Sequence, residues 1–195
     1  MAGGYIICEL KSVQREWPEF QRVLAALESE MIAKCEADWK PKTYGGLAPT
    51  KEQFGRTTIL PPLFKGADGT QLVHWRQLFT STGHQLVLAG VRSGNVIPED
   101  FKVGWIGLAF PNKEQVITEI RWQIGDKKYG RINLEDLWGY KVPAVVFEKG
   151  FIIDEETSFE LYAYVENATY CRIVPLGFCC YRRIDKVLGN PGSAI

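Results

Sequence analysis

The segment Ser158-Phe-Glu-Leu-Tyr-Ala-Tyr-Val-Glu166 decides the fold class, because its residues alternate between two kinds of side chain. In an extended strand successive side chains point to opposite sides, so Phe159, Leu161, Ala163 and Val165 form an apolar face. Tyr162 and Tyr164 share the other face with Ser158, Glu160 and Glu166, which makes that face amphipathic rather than bare. Val116-Ile-Thr-Glu-Ile-Arg-Trp-Gln-Ile124 repeats the pattern. Val116, Thr118, Ile120, Trp122 and Ile124 take one side, and Ile117, Glu119, Arg121 and Gln123 take a wet side. Such alternation predicts antiparallel sheet with one face on a core and one in water.

Outward from these two segments, everything beyond Arg56 reads as short apolar or alternating runs broken by Gly, Pro, Asn and Asp. This is the pattern of an all-β sandwich or barrel, with about nine strands. They are expected near 56–60, 71–79, 85–91, 102–110, 115–125, 129–134, 142–147, 158–166 and 170–184, with a further strand at Tyr5–Leu10. Asp68-Gly69 and Ser93-Gly94-Asn95 read as turns, and Gly125-Asp126-Lys127-Lys128 as a hairpin connection. The run from Thr169 to Tyr181 is apolar on both sides, as in a strand covered on both faces, and its Pro175 and Gly177 predict a bulge or an edge position. Gly104 and Gly107, inside another strand-like run, are expected to relieve packing or admit a neighbouring backbone. Helical patterns do not intervene between the strands, so a parallel βαβ sheet is disfavoured.

Before the strands, Pro18 as a first-turn proline and Phe20, Leu24, Leu27, Met31 and Cys35 at spacings of three and four predict one amphipathic helix between Trp17 and Trp39. The helix either packs on the sheet of its own domain or docks as an arm on a neighbouring subunit; the sequence leaves both open. Lys40-Pro-Lys-Thr-Tyr-Gly-Gly-Leu-Ala-Pro49 then reads as a long connection. The expected organisation is a strand and helix arm with its Gly/Pro connection over 1–50, a β-sandwich domain over 51–188, and a flexible tail over 189–195.

With 195 residues, of which 46% are hydrophobic and 24% charged, the chain has the composition of one ordinary globular domain. Its 23 Lys and Arg balance 23 Asp and Glu, which disfavours a polyanion partner such as nucleic acid. Neither an apolar run near ~20 residues nor a basic start followed by an apolar stretch is present, so neither membrane insertion nor export is expected. The five cysteines, Cys8, Cys35, Cys171, Cys179 and Cys180, are odd in number and scattered, which favours buried free thiols. Cys171, Cys179 and Cys180 lack the paired spacing of zinc ligands, and Cys179 and Cys180 would point to opposite faces of a strand. Asn167-Ala-Thr169 matches a glycosylation triplet but is too short a pattern to weigh much.

Catalytic signals are weak. His74 and His84 fall on no common face, and a structural or surface role is favoured for each. Asp154, Glu155 and Glu156 form an acidic turn that could hold a hard cation, although without the ligand spacing of a calcium loop; a solvated turn is favoured. Neither phosphate-binding nor dinucleotide-binding glycine pattern occurs. The expectation is therefore a non-enzymatic protein without cofactor or metal. Acidic residues gather between Glu148 and Glu166, and basic ones between Arg172 and Lys186. These either pair across strands of one sheet or form complementary patches between subunits. Tyr162, Tyr164, Arg172, Arg182 and Arg183 are the candidate subunit-interface residues, since aromatic rings and arginines are favoured at interfaces.

The layout of N-terminal helix, Gly/Pro connection and strand series ending in Phe159–Val165 and Cys171–Tyr181 resembles capsid-associated or minor virion proteins with jelly-roll-like domains. That resemblance is one of architecture and carries no motif. It implies an antiparallel, jelly-roll-like β-sandwich that serves as a structural subunit of a symmetric particle, a homo-oligomer or a partner of other structural subunits, located in a virion. A carbohydrate- or protein-binding sandwich and a small β-barrel enzyme are the alternatives.

Overall fold

In the computed structural model, which describes residues 5–9, 18–39, 54–111, 115–136 and 143–182, the segment quoted above is strand β11 (Phe159–Val165). It lies between β5 (Gly83–Gly90) and β7 (Ile117–Ile124) and is antiparallel to both. Phe159, Leu161, Ala163 and Val165 are buried, as the alternation requires. β7 departs from simple alternation. Its register slips opposite Tyr164/Val165, so Val165 pairs with Ile117 and Thr118 is the extra residue. Ile117, expected on the wet side, is therefore buried together with Val116 and Ile120.

The remaining elements in chain order are β1 (Tyr5–Glu9), α1 (Pro18–Asp38), β2 (Phe54–Thr58), a 3₁₀ turn at Pro61–Leu63, β3 (Phe64–Lys65), β4 (Arg76–Leu78) and β6 (Phe101–Ala109). After β7 come β8 (Lys127–Lys128), β9 (Ile132–Asn133), β10 (Pro143–Ile153), β12 (Tyr170–Arg172) and β13 (Val174–Arg182). One sheet has the order β1-β10-β6-β13-β2; the other is β3-β5-β11-β7-β8, with β9 also on β7. When β2, β5, β6, β7, β8/β9, β10, β11 and β13 are lettered B to I, the sheets read B-I-D-G and C-H-E-F. This is the double Greek-key wiring of a jelly roll, and every strand pair in it is antiparallel.

Between the sheets lies an aromatic core. Trp105 of β6 meets Trp122 of β7 edge-on at 5.4 Å and Phe147 of β10 at 4.8 Å. Edge-to-face packing of this kind adds roughly 0.5–1.5 kcal/mol per pair beyond area burial. A second apolar layer lies on the outer side of the β10-β6-β13 sheet, where α1 sets Phe20, Leu27, Met31 and Cys35 against Ile106, Val146, Phe178 and Cys180. The helix packs on this sheet within its own chain, the first of the two roles its sequence allowed. Burying Met31 and Leu27 contributes about 1.5–3 kcal/mol each. β6 and β13 are thus covered on both sides, and Cys179 faces the sandwich core while Cys180 faces the helix. Gly104 leaves room for Met31, Leu27 and Phe178, and a side chain at Gly107 would overlap the Val145 carbonyl oxygen.

Four expected strands come out differently. Of 71–79 only Arg76–Leu78 is strand, and it pairs with β12 instead of a main sheet. The run 170–184 divides: Tyr170–Arg172 stays with β4, and after Ile173 the chain enters the sandwich as β13. Its bulge falls between Leu176 and Gly177, and Pro175 lies beyond the end of β2, where it needs no donor. The strand expected at 142–147 continues to Ile153, because a bulge after Val146 carries it past the polar Glu148 and Lys149. Of 129–134 only Ile132–Asn133 pairs as strand. The Lys40–Pro49 connection, Arg183 and the tail over 189–195 lie outside the described residues.

Candidate interaction surface

The two sheets differ in what lies on their outer sides. α1 packs on β10, β6 and β13. Among the described residues, the corresponding side of β5, β11 and β7 presents half-buried or exposed polar and aromatic side chains. β11 forms its midline. Tyr162 lies between Leu86 of β5 and Arg121 of β7, and Tyr164 lies between His84 and Glu119. Directly opposite residues share a face, so these rows form one continuous surface.

Each tyrosine is held in place. The Tyr162 hydroxyl donates to Glu160 Oε2 at 2.8 Å, and the Arg121 guanidinium lies 5.2 Å from its ring centroid. The hydrogen bond to Glu160, together with burial, raises the Tyr162 pKa above the ordinary phenol value, so the hydroxyl stays protonated and is no base. Tyr164, 39% exposed, meets the His84 ring edge-on at 5.0 Å. Glu119 Oε1 is 3.8 Å from His84 Nδ1 and 3.5 Å from Arg131 Nε. The surface is two rings between rows of mixed charge. Rings fixed in this way lose little rotamer freedom when a partner covers them.

The other candidate residues are not brought onto this surface. Arg172 belongs to the small β4-β12 ribbon, opposite Arg76, whose guanidinium stacks 3.9 Å from the Tyr170 ring. Arg182 ends β13 and is 3.6 Å from Asp100. Arg183 lies outside the described residues. His84 is part of the surface and His74, exposed before β4, is not.

The acidic turn has a partner that sequence reasoning missed. Lys102 of β6 is 1% exposed, and its Nζ donates to Asp38 Oδ2 at 2.8 Å and to Asp154 Oδ1 at 3.1 Å, with Glu155 at 3.7 Å. Glu155 also accepts from Trp39 Nε1 at 2.8 Å and from the Asp100 amide at 2.9 Å. The end of α1, the turn after β10 and the start of β6 therefore meet at one ammonium group, which stands where a hard cation would sit. Burial lowers the Lys102 pKa, but the hydrogen bonds to Asp38 and Asp154 outweigh burial and leave it above the usual value. Asp38 is held below the usual carboxylate value by its bond to Lys102. The available signal was a lone lysine in the otherwise apolar Phe101–Ala109 strand, facing an acidic turn far along the chain.

Among the described residues, no helix is long and apolar enough to cross a membrane. Comparison with protein families, with curated proteins and with solved structures finds no match for this chain.

Proposed function

We propose that this protein is a non-enzymatic assembly subunit that meets a second copy of itself, or another structural subunit, through the outer side of the β5-β11-β7 sheet. The observation that carries the reading is the asymmetry of cover. Among the described residues, one sheet is covered by α1, whereas the other presents Tyr162, held by Glu160 and Arg121, and Tyr164, packed against His84. Anchored aromatic rings at the centre of a surface are the residue type that dominates binding energy at interfaces. Jelly rolls serve capsid and lectin domains alike, so the fold is compatible with the reading without selecting it. A virion is the particle that the architectural resemblance implies.

Light scattering on the full chain, at low and high salt, tests this. A discrete oligomer is expected, and Tyr162→Ala/Tyr164→Ala should weaken it by roughly 30-fold or more, the equivalent of about 2 kcal/mol. A salt-insensitive monomer, or an oligomer that the double substitution leaves intact, refutes the proposal. The half-exposed Tyr164 ring beside Glu119 is also what a sugar platform offers. Retention on immobilised glycans, abolished by the same substitution in a monomeric protein, would favour a binding module instead.

A further inference from the structure

Beneath the last turns of α1 lies a cluster that the interaction surface does not use. Cys35 on the helix and Cys180 on β13 are both fully buried and belong to one packed group with Met31, Trp39 and Phe178. Cys180 is the cross-strand neighbour of Arg56 on β2 and of Lys102 on β6, so the group lies between two cations. Arg56 is ion-paired to Glu28 of the same helix. Cations beside a thiol stabilise its thiolate, the reactive form in disulfide exchange.

We infer that Cys35 and Cys180 form a redox-responsive pair, which exchange with a small-molecule disulfide converts into a covalent clasp between α1 and β13. In the first step the Cys180 thiolate attacks one sulfur of the small disulfide, forms a mixed disulfide and releases one small thiol, which carries the proton that Cys180 gave up. In the second, the Cys35 thiolate attacks the Cys180 sulfur, and the second small thiol leaves with the Cys35 proton. Two protein thiols are oxidised, and one small disulfide is reduced to two thiols.

The electrostatics agree with this order of attack. Interaction with Cys35 and the charge of Arg56 hold Cys180 below the ordinary thiol value, while interaction with Cys180 and burial raise Cys35. Cys179 is the less suitable neighbour. It faces the sandwich core, its sulfur is 3.3 Å from the Thr58 carbonyl oxygen, and burial pushes its pKa up to about 12. Since both Cys35 and Cys180 are out of contact with solvent, exchange requires the end of α1 to lift, and the clasp then prevents that lifting.

The test equilibrates the full chain with oxidised glutathione at mildly alkaline pH, with and without urea below the unfolding transition. Acid quenching, denaturation, alkylation and mass measurement follow. The expected result is loss of two of the five thiols without a glutathione adduct, and a non-reducing peptide map joining the Cys35 and Cys180 peptides. Because Cys179 is adjacent, Cys179→Ala must preserve the link and Cys180→Ala must abolish it. In Cys35→Ala the reaction should stop at a glutathione adduct. The clasped form should exchange its α1 amide hydrogens at least about tenfold more slowly than the reduced form. Five thiols still alkylatable, an adduct alone on the unaltered chain, or a link between other cysteines each overturns the inference.

Discussion

At Lys102 the structure predicts an asymmetry between removing the cation and removing its anions. Its side chain is 2% exposed, whereas Asp38, Asp154 and Glu155 keep 42%, 34% and 23% of their side-chain surface. Lys102→Met keeps most of the apolar stem and leaves carboxylates that water can reach, with Lys34 still 3.3 Å from Asp154 and 3.7 Å from Asp38. The expected cost is about 1–2 kcal/mol, below the range for breaking a fully buried pair. Asp38→Asn with Asp154→Asn instead leaves a buried ammonium whose nearest carboxylate is Glu155, and should cost about 3–4 kcal/mol. Adding Lys102→Met to that double variant should then restore stability. Urea unfolding at neutral pH, arranged as a mutant cycle, reads these differences. The reasoning is refuted if Lys102→Met costs more than the paired asparagines, or if the triple variant is no more stable than the double.

The pH dependence has a definite sign at each end. Asp38 is held below 3.8 in the folded state, so its contribution is present above its unfolded value of about 3.9 and is lost as pH falls through the lower folded value. Lys102 is raised above 10.5, so its contribution is full below its unfolded value of about 10.4 and is lost as pH rises through the higher folded value. The stability difference between the unaltered chain and Lys102→Met should be level between about pH 5 and 9 and shrink outside that window. Met31→Ala, at a fully buried helix position, should cost about 2–5 kcal/mol and lower amide protection in α1 before that in β11. Gly107→Ala should fail to give folded protein, because the new methyl overlaps the Val145 backbone; near-ultraviolet circular dichroism of the tryptophan core reports this. Glu156, exposed with φ 56°, should be stabilised by up to about 1 kcal/mol when changed to Gly, read as a rise in the unfolding midpoint.

The sandwich, the helix Pro18–Asp38 and most turns were legible because each rests on a local pattern. Phe159 to Val165 alternates with period two, and Phe20 to Cys35 recurs every three or four residues, so the buried faces follow from counting. Errors arose where tertiary pairing overrode the period. Nothing local in 71–79 announces that Val73 stays in water while Arg76–Leu78 finds Tyr170–Arg172. The bulge that buries Ile117 comes from the register with β11 and not from the β7 sequence. Of the candidate surface, Tyr162 and Tyr164 were legible as one face, but their partners His84, Glu119 and Arg121 come from neighbouring strands whose order no local pattern encodes. The partners of Lys102 were illegible for the same reason: its three carboxylates come from two distant segments.

The position of β13 in its sheet has a consequence for how the chain reaches this structure. β13 is the last described strand, yet it sits between β6 and β2, and β11, nearly as late, sits between β5 and β7. A chain emerging from its N-terminal side holds both halves of each sheet before the strand that joins them exists. Neither sheet can close early, and the closing pairs, such as Arg182 with Phe54 and Val165 with Gly83, are far apart in sequence, a topology of slow folding. Until β11 and β13 arrive, β2, β5, β6 and β7 offer open edges and unpaired apolar faces, which is when such a chain is most exposed to aggregation.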